Sequence, residues 1–435
     1  MRLSIDFINE KYGDCIDHVI HFLNAHPLKP QHLVVLGNAD ADIHLNYKKD
    51  GEIPSQEMIF SSSMQYELCA NTYNHHEVSI YSVEKCKDQQ IKPFYKNGCY
   101  GFDVIETIFY HITRYEEYHW PADLRNQWDM MPEHEQFLIK HGLNLSPVVD
   151  QLVVQFFNAL GFEIKNQTSS IILTHDIDYF SRFATETKPL QFALSLLKRN
   201  PLSLAPYVRD FAQFLGQGIE PYEKFESLFE IRVQKKMIYF LYGGNHSFDA
   251  LPTESRNRYI TDMALKAKKY GYSIGLHPSY LSAIDPVLFE DEKNAIEHLL
   301  GQAICHSRQH FLHFSFSDTV SILEKHSIEE DASIGYNENL GFRAGTGFRY
   351  KLFNWQKMST SNVYEQPIAW MDSSNWYSSN KHVSTYQKQA ISFLMNNQYN
   401  TCISMLFHNS SWYDYNLYGV DFDPILSFMA NQERE

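Results

Sequence analysis

Paired cysteines are missing from this 435-residue chain. Its six, at positions 15, 69, 86, 99, 305 and 402, are scattered and form no CxxC. That excludes a disulfide framework and predicts reduced thiols. Long apolar runs are also missing. MRLSIDFINEKYGD has no apolar stretch behind Arg2, so no signal peptide is expected. Nothing approaches the roughly 18 to 20 apolar residues of a membrane span, and the expected location is cytoplasmic. No dense Lys/Arg run occurs, and 52 acidic residues outnumber 37 basic ones, a net charge of −15. Such a chain repels nucleic acid and anionic membranes unless its basic residues gather on one surface. Internal repeats and low-complexity tracts are absent too.

What remains is an ordinary globular composition, long enough for two or three domains. Aromatics are abundant, with 28 Tyr and 30 Phe. Flat rings stack on sugar faces, but a large core with tyrosines at its rim explains them equally well.

Texture divides the chain near residue 165. Before it, strand-like HLVVLG (32–37) and EVSIYSVE (77–84) precede FDVIETIFYHITRYEEY (102–118), whose Ile105, Ile108, Phe109, Ile112 and Tyr115 recur at helical spacing. Residues 1–165 therefore read as a small α/β domain of unassigned role. Over 166–435, strand, loop and helix alternate. Candidate strands are SIILTHDID, MIYFLYG (237–243), YSIGLHPSY (272–280), RQHFLHFS (308–315), ASIGY (332–336), IAWMDSS (368–374) and TCISMLFHNS (401–410). YITDMALKAKKYG (259–271), DTVSILEKH (318–326) and STYQKQAISFLMNN (384–397) are helical between them, the first ending at Gly271. Alternation of this kind predicts a parallel sheet, and about seven units predict a distorted (β/α) barrel. Residues 181–236, with KPLQFALSLLKRN and YEKFESLFEIRVQKK, are too long for a simple crossover and read as a helical insertion near the barrel mouth.

Reactive side chains fall at strand ends. Asp176 and Asp178 close the first strand, His277 the third and His408 the last, while His310 lies in the fourth and Arg343 follows the fifth. In a (β/α) barrel such ends converge on one mouth. Aspartate with histidines suits a divalent ion such as zinc, with cobalt, manganese or nickel as alternatives. A three-ligand site leaves a position for water, a second carboxylate can take a proton from it, and a distant histidine can protonate a leaving group. A guanidinium beside that carboxylate would hold it ionised and oriented.

These strand ends resemble the polysaccharide deacetylase family, the nodulation-deacetylase homology domain of carbohydrate esterase family 4. The resemblance implies a catalytic base at Asp176 and a metal ligand at Asp178 in THDID. It further implies a ligand at His277 in IGLHPSY, a base-positioning arginine at Arg343 in GFRAGT, and an acid at His408 in MLFHNS. Order and spacing hold over roughly 165–415. EPYEKFESLFE (220–230), RQHFLHFS, DASIGY…GFRAGT and ITRYEEY (112–118) resemble a bacterial subgroup carrying an extra N-terminal domain. One position departs: four residues after His277 the family has a second histidine, and here stands Leu281. His310 is the candidate third ligand, with Arg308 beside it a substrate or supporting group.

Each residue also has a plainer reading. Asp176 and Asp178 could cap a turn, His277 satisfy a loop, His310 sit in the core, Arg343 pair with Asp331, and His408 do no chemistry. By alternation His175 points away from the site and reads as structural. Tyr280, Tyr336, Trp370 and Trp376 could line a sugar cleft or simply pack. The expectation is a metal-dependent hydrolase removing an acyl group, most simply acetyl, from an amino sugar or other carbohydrate. The alternatives are a catalytically inactive carbohydrate-binding or assembly protein on the same fold, and a glycoside hydrolase using paired carboxylates.

Overall fold

The computed structural model describes residues 1–7, 13–48, 58–61, 95–96, 99–100, 104–183, 189–244, 246–249 and 256–432. The expected strand at 77–84 lies outside these residues.

A first sheet contains β1 (Arg2–Phe7), β2 (Val34–Gly37), β3 (Ile43–Lys48), β4 (Met58–Ser61), β5 (Tyr95–Lys96) and β6 (Cys99–Tyr100), in the order β2-β1-β3-β4-β6-β5. The single helix expected over 102–118 is broken in two, Val104–Ile112 and Tyr115–Tyr118. The break is at Arg114, whose backbone is left-handed at φ 53°. Its fully buried guanidinium pairs with Glu117 at 2.6 Å and Glu116 at 3.0 Å, and donates to the carbonyl of Arg343.

The second sheet is built from β7 (Ser170–Ile177), β8 (Lys235–Leu241), β9 (Ser273–His277), β10 (His306–Ser307), β11 (Glu330–Asp331), β12 (Tyr350–Asn354), β13 (Ser359–Glu365), β14 (Trp370–Met371) and β15 (Cys402–His408). Its order is β12-β13-β11-β10-β9-β8-β7-β15-β14. Every pair is parallel except β12 with β13. Burial on both faces of β7 explains its unbroken apolar run. Among the described residues no ladder joins the outer strands β12 and β14, so the pairing does not close the expected distorted barrel of about seven strands. The sheet nevertheless curls. β13 and β14 lie near opposite edges, roughly 34 Å apart if the sheet were flat, yet the chain between Glu365 and Trp370 reaches at most about 18 Å. Curling brings the C-terminal ends of the strands together.

Three expected strands are cut short. RQHFLHFS pairs only ahead of its start, at His306–Ser307, because Phe311 and Leu312 adopt φ of 58° and 50° and break the ladder. ASIGY follows the two-residue β11 without joining a ladder. IAWMDSS yields only Trp370–Met371 before Asp372 starts the helix Asp372–Ser378. The expected helices form at Arg256–Lys269, Thr319–Lys325 and Val383–Asn396. The first buries Ile260, Met263, Ala264 and Ala267, and Gly271 follows it at φ 82°. The insertion contains helices Pro189–Arg199 and Leu204–Gln217, but Pro221–Glu230 winds as a 3-10 helix.

One cluster of buried apolar side chains runs from Leu3 to Met429 and includes both sheets' flanking helices. Polar contacts reinforce it. Buried Asp150 accepts from Thr401 at 2.6 Å and from Thr346, and Arg343 pairs with Glu117.

Candidate active site

Parallel pairing sets the strand ends side by side: Asp176 is in register with His408 and Tyr239, and Leu241 with His277. Alternation along β7 then sorts the side chains. His175 points outward, bonded to the Phe407 carbonyl and to Tyr272 Oη at 3.0 Å, and burial pushes its pKa down to about 3. Asp176 and Asp178 point to the mouth, into a cavity of about 540 Å3 that His277, His310 and His408 also line.

Asp178, His277 and His310 each place a ligand atom within 4.8 Å of the others. Their tautomers follow from acceptor-only partners. His277 Nδ1–H donates to the Arg308 carbonyl at 2.5 Å, and His310 Nδ1–H donates to Asp249 at 2.8 Å. In its neutral form each ring then carries its lone pair on Nε2, that of His277 lying 3.3 Å from Asp178 Oδ1. That oxygen is buried without a hydrogen bond. Lone pairs and an anion in a buried cluster call for a positive charge among them. Burial opposes charge on Asp178, yet the facing imidazoles, His277 first, hold its carboxyl well below the usual range. Burial likewise opposes charge on His277, and Asp176 and Asp178 overcome it and raise its pKa. Two imidazoles and a carboxylate, with their far nitrogens tied back, fit a divalent ion with a place left for water.

Two further groups flank the cluster. Asp176 Oδ2 lies 3.7 Å from His277 Nε2, while its Oδ1 accepts from Arg308 at 2.7 Å. Arg308 is fully buried, also bonds Thr174 and the Ala332 carbonyl, and stacks 4.4 Å over the ring of Tyr239. On the other side, His408 Nε2 is 3.9 Å from Asp178 Oδ2, and its Nδ1–H donates to Asp372 at 2.6 Å. Burial would lower the His408 pKa, but Asp372 outweighs it and raises it to about 10.

One expected placement needs correction, and the other candidates take the supporting or packing reading also open to them. The guanidinium on Asp176 is that of Arg308, not Arg343. Arg343 instead bonds Glu117 and the Gly335 carbonyl, and Asp331 is held by Ser307 and Ser333. Arg308 is fully buried and is not among the side chains that line the cavity, which gives it the supporting role. Tyr280 is buried, stacked between His246 and His313. Tyr336 is buried near Arg114, Glu116 and Glu133. Trp370 and Trp376 are core residues.

Asp372 and Asp249 were not anticipated. Asp372 ends a strand pattern as Asp176 does, and that rule could have found it. Asp249 sits in a loop with no periodicity to mark it. Nor was a contribution from the N-terminal segment expected, yet Gln127 and Trp128 line the cavity along with Tyr377 and Tyr415. Glu133 accepts from Asn337 N at 2.5 Å and Asn339 Nδ2 at 2.8 Å, holding the loop whose Asn337 and Glu338 also face the cavity.

A model of a family of unknown function (DUF7033) matches residues 15–164. No curated protein matches. Among solved structures, a Mycobacterium smegmatis protein titled as a provisional polysaccharide deacetylase is 11% identical at a TM-score of 0.32, with 61% of this chain and 92% of that chain covered. The Streptococcus pyogenes deacetylase PplD, in complex with acetate, is 13% identical at a TM-score of 0.20, with 47% and 94% covered.

Proposed function

We propose that this chain is a metal-dependent hydrolase that removes an acyl group, most simply acetyl, from a carbohydrate. The observation that carries the reading is the grouping of Asp178, His277 and His310 within 4.8 Å, flanked by Asp176 on one side and His408 on the other. Bound by those three side chains, a divalent ion would polarise the acyl carbonyl and acidify a water. Asp176, its carboxylate fixed by Arg308, accepts the proton from the attacking water. His408, its tautomer fixed by Asp372, donates a proton to the departing amine or alcohol. The sugar class rests on the family resemblance and on the aromatic rings of Trp128, Tyr377 and Tyr415 around the cavity.

A glycosidase needs one carboxyl kept protonated as an acid. Asp178 is driven the other way and Asp176 is tied to a guanidinium. A non-catalytic binding protein, the alternative raised by Leu281, would leave the acid and base pair without a task. The test is acetate release from N-acetylglucosamine oligomers. Asp176→Asn should lose it by roughly three orders of magnitude while keeping the fold and the bound metal. Wild-type turnover in that variant overturns the mechanism.

A further inference from the structure

The insertion carries an exposed apolar surface that the hydrolytic site does not explain. On the helix Pro189–Arg199, Leu190, Leu194 and Leu197 recur at i, i+4 and i+7, and all three face solvent. Leu202, in the turn Pro201–Ser203, is 87% exposed, and Val208 and Leu215 lie outward on the helix Leu204–Gln217. A surface helix ordinarily turns polar residues to water, and contiguous apolar patches mark interaction sites. The hairpin's inner side is satisfied already: Phe192, Leu196 and Tyr207 pack with Tyr222, Tyr413 and Leu417.

Charge separates the candidate occupants. Within 189–219 the charged residues are Lys198, Arg199, Arg209 and Asp210. Asp210 is buried against Lys224 and Tyr413, so every outward charge is a cation, on a chain whose net charge is −15. This is the local basic surface that an otherwise acidic protein needs to approach an anionic bilayer. At 11 and 14 residues the helices are too short to span, and no helix among the described residues is long and apolar enough to cross.

We infer that the hairpin 189–219 docks the protein onto an anionic membrane surface, its leucines in the interfacial layer and Lys198 and Arg209 among the headgroups, while Arg199 stays over the Tyr418 ring. Docking there would place the cleft close to the bilayer. Tyr413 and Leu417, which receive the hairpin, belong to the helix Asn409–Tyr418, and Ser410, Ser411 and Tyr415 of that helix line the cavity.

The test is co-sedimentation of the full chain with vesicles of phosphatidylglycerol and phosphatidylcholine in equal parts, and with phosphatidylcholine alone. The expected result is capture by the anionic vesicles, weakened by salt. Leu194→Asp/Leu202→Asp should reduce capture roughly tenfold or more, with melting temperature and metal content unchanged. Failure of the full chain to bind anionic vesicles, or equal capture of the variant, overturns the inference. So does a dimer in lipid-free ultracentrifugation that the variant converts to monomer, since a second copy would then cover this face. None of these readouts depends on catalysis.

Discussion

At the scale of single residues, the role expected of Arg343 falls to Arg308. Arg308 holds the proposed base, and Arg343 holds Glu117 across the two segments of the chain. Their variants should separate cleanly. Arg308→Gln is expected to lower kcat about 10- to 100-fold, because an orienting group is lost. Arg343→Gln should instead cost stability, of order 3–5 kcal/mol for a broken buried pair, with near-normal kcat in the folded fraction. Turnover and thermal melting on both proteins decide this, and the reverse pattern would return the positioning role to Arg343. His408 supplies a second prediction. Its pKa of about 10 depends on Asp372 outweighing burial. Replacing Asp372 by Asn removes the anion, so His408 loses its proton at lower pH. The alkaline limb of the kcat/KM profile should therefore move down by about one unit or more; an unmoved limb would mean that His408 is not the acid.

At the scale of elements, the register of β9 against β8 and β10 sets the depth of His277. Gly275 is the point of closest approach: a Cβ there would overlap the Tyr239 ring, on which Arg308 is stacked. Gly275→Ala should destabilise by about 1–3 kcal/mol and lower kcat in the surviving folded enzyme, as Arg308 is displaced from Asp176. Unfolding in urea with parallel turnover would show it, and wild-type values for both would disprove the packing account. Strands whose function is expressed at their ends were the legible part of this fold. SIILTHDID, YSIGLHPSY and TCISMLFHNS are buried on both faces, so their continuous apolar runs and terminal polar residues stood out, and Asp176, Asp178, His277 and His408 with them. Segments held by side chains rather than by ladders were not legible. His310 is presented by a turn with two successive left-handed residues, Phe311 and Leu312, a strained arrangement that apolar patterning mimics as a strand. Asp249 reaches His310 from an aperiodic loop. Arg308 and Arg343 differ only in which carboxylate the curled sheet delivers to each.

At the scale of the whole molecule, the change of texture near residue 165 separates two styles of sequence but not two cores. Glu117 binds Arg343, Glu133 fixes the loop of Asn337, and Asp150 bonds Thr346 and Thr401, all from the N-terminal segment. We therefore expect residues 166–435 expressed alone to lack both a cooperative unfolding transition and turnover. A cooperatively folded, fully active fragment would show the first segment to be dispensable. The same long-range closure gathers Asp178, His277 and His310 from three separated parts of the chain, and the functional account stands on their sharing one cation. Metal analysis of the dialysed full chain tests it most directly. The predicted result is about one divalent ion per chain, falling to background in Asp178→Ala/His277→Ala. An ion retained at full stoichiometry by that double variant, or none held by the parent protein, would contradict it.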